Sequence, residues 1–317
     1  MERTMLFTYR AYRRLLDIIA ESGYAVYGVE QILIARRDGT LPEGKYVAIR
    51  HDVDYFPGRA LNVATIEAER KIATTYYIRR RFFDADPHLA RKIAALGHQI
   101  GYHYEEVDVH QKAPNLQIAR DAVGFFIGSL LDIDKLGFPI KTVCAHGNPL
   151  TDVDNRQVVH MLRDETYLDR LAFTYDREEI KAKVSERLVG DASIDITGED
   201  FDLYIPDTGR FNPRYNLKDR IDNCPITGLS NLDDFGRLLA DGRLRRVYMN
   251  MHPDRWSGDP ATWLFDFAFD TAKNIVKRLM GKTGYKGKLV GDKAKRRHRA
   301  VLRSMGEEPD ERQDSRS

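Results

Sequence analysis

Apolar and polar positions along the chain fall into blocks that read strand, helix, strand. The plainest block is the apolar run Tyr46 to Ile49, which passes into Arg50, His51, Asp52, Val53 and Asp54. Such a run reads as a buried strand. Ahead of it, Tyr9 to Ser22 carries Leu15, Ile18 and Ile19 at helical spacing and stops near Gly23. Arg59 to Lys71 reads as a helix with Leu61, Ala64, Thr65 and Ala68 on one face. Thr74 to Ile78, β-branched and aromatic, predicts a strand. Pro87 to Leu96 predicts a helix, with Asp86 as N-cap, Pro87 in the first turn and Gly97 as the stop. His98 to Tyr104 alternates as a short strand, Asn115 to Leu131 is a long apolar helix, and Lys141 to Ala145 is the next strand. Alternation at this spacing implies an α/β fold with a parallel sheet, open or closed. Right-handed crossovers bring the strand ends to one rim, so Asp52, Asp54, His103 and His146 are expected to gather there.

The second half is less regular. Asp202 to Ile205 and Arg246 to Met251 read as strands, and Asn231 to Leu239 as a helix. Thr262 to Met280 reads as a helix whose Trp263, Phe265, Phe267 and Phe269 are expected to pack in the core. From Gly281 lysine and arginine crowd a segment of little apolar content, and residues 307–317 are polar. The expected organisation is a single domain over 1–280 and a basic, flexible tail over 281–317. The tail could touch an anionic surface, although a solvated helix and a frayed end is the plainer reading.

Composition narrows the class. Hydrophobic residues make up 42% and charged residues 31%, the balance of a soluble globular protein. A formal net charge of +2 argues against a dedicated nucleic-acid binder. Cys144 and Cys224 make no close metal-type pair and no disulfide framework, which fits a reducing compartment. Arginines 3, 10, 13 and 14 break up the first residues, leaving no apolar signal-peptide core, and no stretch approaches the ~18–20 apolar residues of a spanning helix. The cytoplasm is the expected location.

The candidate chemistry sits at predicted strand ends. Arg50, Asp52 and Asp54 share one face of their strand if it continues that far. Neighbouring carboxylates repel unless a cation or a shared proton relieves them. For a lone Asp-x-Asp, capping or turn formation is the commoner role; the histidines downstream shift the balance. His103 and His146 each end a strand and can offer neutral imidazole to zinc, with Glu105 or Glu106 near enough to orient a ring. His98 precedes its strand and reads as structural. The Gly147-Asn148-Pro149 loop could offer an amide to an oxyanion. His252 closes the last strand and suits a general acid, tuned by Asp254 or Arg255. Trp256 suits a sugar-stacking face or the core equally.

Five blocks together resemble the polysaccharide deacetylase family, carbohydrate esterase family 4, and more closely an intracellular branch of it. They are Arg-His-Asp-Val-Asp at 50–54, Gly-His-Gln-Ile-Gly-Tyr-His-Tyr-Glu at 97–105, His-Gly-Asn-Pro at 146–149, Asp-Thr-Gly-Arg at 207–210 and His-Pro-Asp-Arg-Trp at 252–256. The resemblance spans roughly residues 5 to 256. It implies a deformed (β/α) barrel of the polysaccharide deacetylase and glycoside hydrolase type, holding one divalent metal, most often zinc. Carried over, Asp52 is the base, Asp54 a metal ligand, His103 a second ligand and His252 the acid that protonates the leaving amine. Arg210 and Asp207 fall where a residue orients a catalytic group, and Arg50 would keep Asp52 ionised. The family's further histidine lies four residues after His103, where this chain has Val107. His146 is the favoured third ligand, with Glu105 the alternative.

The implied function is a metal-dependent hydrolase deacetylating an N-acetylated sugar, free or linked to a lipid or nucleotide, by metal-activated water. Alternatives are a hydrolase of another C–N bond and a catalytically silent barrel that binds a glycan, which the valine at 107 favours. His51-Asp52 also matches the adjacent pair of His–Asp phosphohydrolases, but that pair belongs on a helix and here follows a β run.

Overall fold

The computed structural model describes residues 7–109, 116–147, 154–163, 176–180, 182, 184, 186–196, 200–207, 232–242, 244–259, 261–266 and 268. In chain order the elements are α1 (Tyr9–Glu21), β1 (Ala25–Gly28), α2 (Val29–Arg37), β2 (Tyr46–Val53), α3 (Pro57–Ala68), β3 (Thr75–Ile78), α4 (Arg80–Ala85), α5 (Pro87–Ala95) and β4 (Gln99–Tyr104). Then follow α6 (Glu106–Val109), α7 (Leu116–Lys135), β5 (Thr142–Ala145), α8 (Gln157–Leu162), α9 (Arg177–Ile180), β6 (Gly190–Asp191), β7 (Leu203–Pro206), α10 (Leu232–Ala240) and β8 (Arg246–Met251). No described helix is long and apolar enough to cross a membrane.

The strands form one parallel sheet in the order β6-β5-β4-β3-β2-β8-β7. One edge of β2 is shared: β1 pairs with Tyr46–Ile49 and β3 with Arg50–Val53. The end of β1 therefore abuts the start of β3, and a Cβ on Gly28 would lie 2.7 Å from Thr75 Oγ1 and 2.0 Å from Gln99 Oε1. The result is an α/β half-barrel, with no pairing of β6 to β7 among the described residues.

β2 is the middle of the structure, and all eight of its residues are buried. Alternation sends Tyr46 and Ala48 inward, into a core shared with Tyr77, Cys144 and Tyr248. Val47 and Ile49 face outward and meet Leu15 and Ile19 of α1 and Phe235 and Leu239 of α10. A second outer core joins Ile78, Tyr102 and Val143 to Ile93 of α5 and Phe126, Ile127 and Leu130 of α7. Each such side chain contributes about 1.5–3 kcal/mol when fully buried, so these stripes hold the helices to the sheet.

Polar residues in a fully buried strand need partners. His51 faces outward, and its Nε2 donates to Glu67 of α3 at 2.8 Å. Glu67 Oε1 also accepts from the Tyr12 hydroxyl at 2.5 Å, while Oε2 accepts from Thr74 and Tyr76 at 2.8 and 2.7 Å. His98 beside them is structural, as expected: Nδ1 accepts from the Thr74 amide at 3.1 Å and Nε2 donates to the Ala64 carbonyl at 3.0 Å.

Several expectations need correction. The buried face of α3 runs through Ala60, Val63, Ala64 and Glu67, whereas Leu61 and Ala68 are half-buried and Thr65 is exposed. Val63 and Ile66 make that face apolar, and Glu67 on it reaches His51. Of the two roles open to Trp256, the core is the one it takes: it has no exposed surface, and its ring lies 4.9 Å from those of Phe7 and Tyr12. Among the aromatics expected in a helix over 262–280, Trp263 is half-buried and Phe265 is 70% exposed; residues 267 and 269–280 lie outside the described residues, as does the tail at 281–317. β1, α2, α4, α6, α8, α9 and β6 were not anticipated.

Candidate active site

The carboxyl ends of β2, β4, β5, β7 and β8 bring Asp52, Asp54, His103, His146, Asp207 and His252 to one rim. Inward alternation gives Arg50 and Asp52 a common face, and Arg50 Nη2 donates to Asp52 Oδ2 at 2.9 Å. Arg50 is held by the Ala192 carbonyl at 3.3 Å and Asn250 Oδ1 at 3.4 Å. Burial favours a neutral Asp52, but the Arg50 guanidinium and the His103 and His252 imidazoles keep its carboxyl below the usual range. Asp52 Oδ1 is buried and takes no hydrogen bond among the described residues.

Asp54 follows β2, and its Oδ1 is likewise buried without a hydrogen bond among the described residues. His103 Nε2 lies 3.4 Å from it and His146 Nε2 3.7 Å. One ligand atom from each of Asp54, His103 and His146 can be chosen so that all three lie within 4.8 Å of one another. Ligand atoms about 2.0–2.1 Å from a shared tetrahedral centre would sit roughly 3.3–3.4 Å apart, so the donor set fits a zinc-sized cation. The second ring nitrogen of His103 donates to the Cys144 carbonyl at 2.9 Å, which fixes the tautomer and aims the Nε2 lone pair at Asp54. Gly101 lets β4 approach, since a Cβ there would meet the Tyr77 ring at 2.5 Å.

The electrostatics ask for positive charge. Burial raises the pKa of Asp54, yet His103, His252 and His146 hold it well below the usual carboxylate range. Burial opposes charge on His103, but Asp52 and Asp54 raise its pKa well above the ordinary imidazole value. A bound cation would meet the same demand by displacing that proton. Asp52, His103 and Cys144 form an overlapping group of comparable spacing. Burial pushes the Cys144 thiol pKa up, which favours the thiol over the ligating thiolate and makes that set the poorer one.

His252 belongs to a second unit. Its Nδ1 donates to Asp207 Oδ1 at 2.6 Å, its backbone N–H to Asp207 Oδ2 at 2.6 Å, and Arg255 donates to the same carboxylate at 2.9 Å. His252 Nε2 lies 4.0 Å from Asp52 Oδ2 and 3.9 Å from Asp54 Oδ2. Burial and Arg255 lower the His252 pKa, but Asp207 and Asp54 outweigh them and raise it. Asp254 has another task than tuning His252: it accepts from the backbone amides of Asp54, Tyr55 and Phe56 at 3.1, 2.9 and 2.7 Å and shapes the loop after β2. Arg255 acts on His252 both directly, by its charge, and by donating to Asp207.

Of the residues expected to act, Asp52, Asp54, His103, His146, His252 and Arg50 converge; Arg210, Asn148 and Pro149 lie outside the described residues. His110 also lies outside them, and His160 is exposed. Glu105 is engaged by Arg79, whose Nε donates to Oε1 at 2.9 Å, and lies 3.9 Å from His146 Nδ1. Val107, at the position of the missing histidine, is buried, and its N–H donates to Asn155 Oδ1 at 3.0 Å. Asn155 in turn donates to the His146 carbonyl at 2.8 Å. Arg79 and Asn155 were not anticipated, because their roles are set by residues far away in sequence.

No family model matches the chain, and no curated protein sequence matches it. Solved structures similar to it include the Streptococcus pyogenes deacetylase PplD in complex with acetate, at 14% identity over 47% of this chain and 67% of that one, with a TM-score of 0.38. The peptidoglycan deacetylase PdaC from Bacillus subtilis is similar at 12% identity over 75% of this chain and 98% of its own, with a TM-score of 0.30. A mutant of PdaC gives the same identity and coverage with a TM-score of 0.31. Both proteins carry the name deacetylase.

Proposed function

We propose that the chain is a metal-dependent amide hydrolase that removes the acetyl group from an N-acetylated sugar. The observation that carries this reading is the meeting of Asp54 Oδ1, His103 Nε2 and His146 Nε2 beside a free oxygen of Asp52 and the His252–Asp207 pair. Asp54, His103 and His146 would hold one divalent cation, zinc suiting two imidazoles and a carboxylate. When bound, the cation would polarise the acetamide carbonyl and acidify an attacking water.

The protein's own groups divide the remaining work. Asp52 Oδ1, left free by the Arg50 pair on Oδ2, takes the proton of the attacking water. Arg50 keeps that carboxylate ionised, which makes it a weaker base but one always ready to accept. Asp207 orients His252 through Nδ1, so Nε2 faces the reacting centre and hands a proton to the departing amine. The raised pKa of His252 suits that acid role. His146 in place of a histidine at 107 supports an enzyme over a silent glycan-binding barrel. A buried free Cys144 supports a reducing location such as the cytoplasm.

The test is acetate release from an N-acetylated amino sugar by the zinc-loaded chain, compared with Asp52→Asn. Asp52→Asn should retain zinc and lose at least about a hundredfold in kcat. Full activity in Asp52→Asn, or none in the zinc-loaded wild type across neutral and charged N-acetyl sugars, overturns the reading.

A further inference from the structure

Three consecutive arginines, Arg79, Arg80 and Arg81, follow β3 and open α4, and two of them are committed to the structure. Arg79 is buried against Glu105 and also donates to the Asp54 carbonyl at 3.3 Å. Arg80 pairs with Asp84 at 2.7 Å and Asp132 at 3.2 Å. Arg81 differs. It is exposed, and it faces no carboxylate among the described residues. Its guanidinium lies 5.6 Å from the centroid of Tyr55 and 4.7 Å from that of Phe82, and it donates to the carbonyl of Asp54.

The other arginines at this mouth among the described residues each face a carboxylate. Arg50 faces Asp52, Arg59 faces Asp266 at 2.6 Å, and Arg255 faces Asp207. Arg81 is also redundant for holding the Asp54 carbonyl, because Arg79 already serves that oxygen. Two aromatic rings and one carbonyl fix a planar fork of donors next to a metal-binding aspartate, and most of its N–H groups remain for a ligand. Tyr55 and Phe56, 58% and 50% exposed, extend the same lip with apolar faces of the kind that sugar rings stack on.

We propose that Arg81 is a specificity residue which recognises an anionic group, phosphate or carboxylate, on the N-acetylated sugar. The inference rests on the hydrolase reading for its location, and the chemistry is that of a bidentate charge-assisted pair. It narrows the substrate class from acetylated sugars in general to those bearing a negative charge close to the acetamido group.

The test measures binding by calorimetry to the zinc-loaded full chain for three probes: N-acetylglucosamine, N-acetylglucosamine 1-phosphate and N-acetylmuramic acid. Wild type should bind at least one anionic sugar about tenfold more tightly than the neutral one. Arg81→Gln should bring that ratio to near one, and Arg81→Lys should keep part of it. The phosphate and carboxylate probes show which anion is read. A ratio near one for both anions in wild type, or a ratio that survives in Arg81→Gln, overturns the inference. Acetate release is followed in the same samples. Arg81-dependent binding without any release would sink the hydrolase reading while the anion site stands. Release with no charge preference would do the reverse.

Discussion

Replacing Glu67 by glutamine tests how β2 is held in place from behind. Glu67 lies on the face of β2 opposite Asp52, wholly buried, and accepts four hydrogen bonds of 2.5–2.8 Å from Tyr12, His51, Thr74 and Tyr76. Burial alone would raise its pKa, yet His51, His98 and Tyr12 bring it from 4.5 down to about 2. The folded value lies below the unfolded one. The contribution to stability is therefore complete above the unfolded pKa and is lost as pH falls toward the folded one. At 1.36 kcal/mol per pH unit the whole shift is worth about 3 kcal/mol, of which about 2 kcal/mol disappears between pH 4.5 and pH 3. Glutamine keeps the volume but cannot ionise, and its amide nitrogen meets hydroxyls that now have to accept. Urea unfolding at pH 7 should show Glu67→Gln less stable by roughly 2–3 kcal/mol. The gap to wild type should narrow by about 2 kcal/mol at pH 3. A gap that stays constant from pH 7 to pH 3 would show that Glu67 is not held as a buried carboxylate.

Asp207→Asn should leave zinc content unchanged and lower kcat by about a hundredfold or more, because His252 loses the carboxylate that sets its tautomer; equal kcat would remove Asp207 from the machinery. Asp254→Ala strips the acceptor from three backbone amides of the loop bearing Asp54, so it should cost about 1–3 kcal/mol in urea unfolding and weaken zinc binding in the same preparation. Gly101→Ala places a Cβ 2.5 Å from the Tyr77 ring and should cost about 1–3 kcal/mol, read as a fall in melting temperature.

The sequence made some of this legible and hid the rest for physical reasons. Periodicity located β2, β3, β4, β5, β7 and β8 because buried parallel strands are short apolar runs, and strand ends in such sheets share a rim. That was enough to bring Asp54 together with His103 and His146 across some ninety residues of chain. It failed at β1, where Ala25–Gly28 is too short and too exposed at its start to stand out. It also misplaced the buried face of α3, which carries Val63 and Ile66 together with Glu67, whose partner His51 no helical pattern reveals. Trp256 was ambiguous in sequence and is settled by Phe7 and Tyr12, which reach it from the other end of the chain. The commitments of Arg79 to Glu105 and of Asp254 to the β2 loop are tertiary pairings with no local signature.

Zinc titration of the purified chain, with the coordination sphere read by X-ray absorption, bears most directly on the proposed centre. One zinc per chain with two imidazole nitrogens and the remainder oxygen is expected, with binding weakened at least tenfold in each of Asp54→Asn, His103→Ala and His146→Ala and little changed in Glu105→Gln. Zinc binding that survives loss of His146 but disappears with Glu105, or a sphere containing sulfur from Cys144, would contradict it.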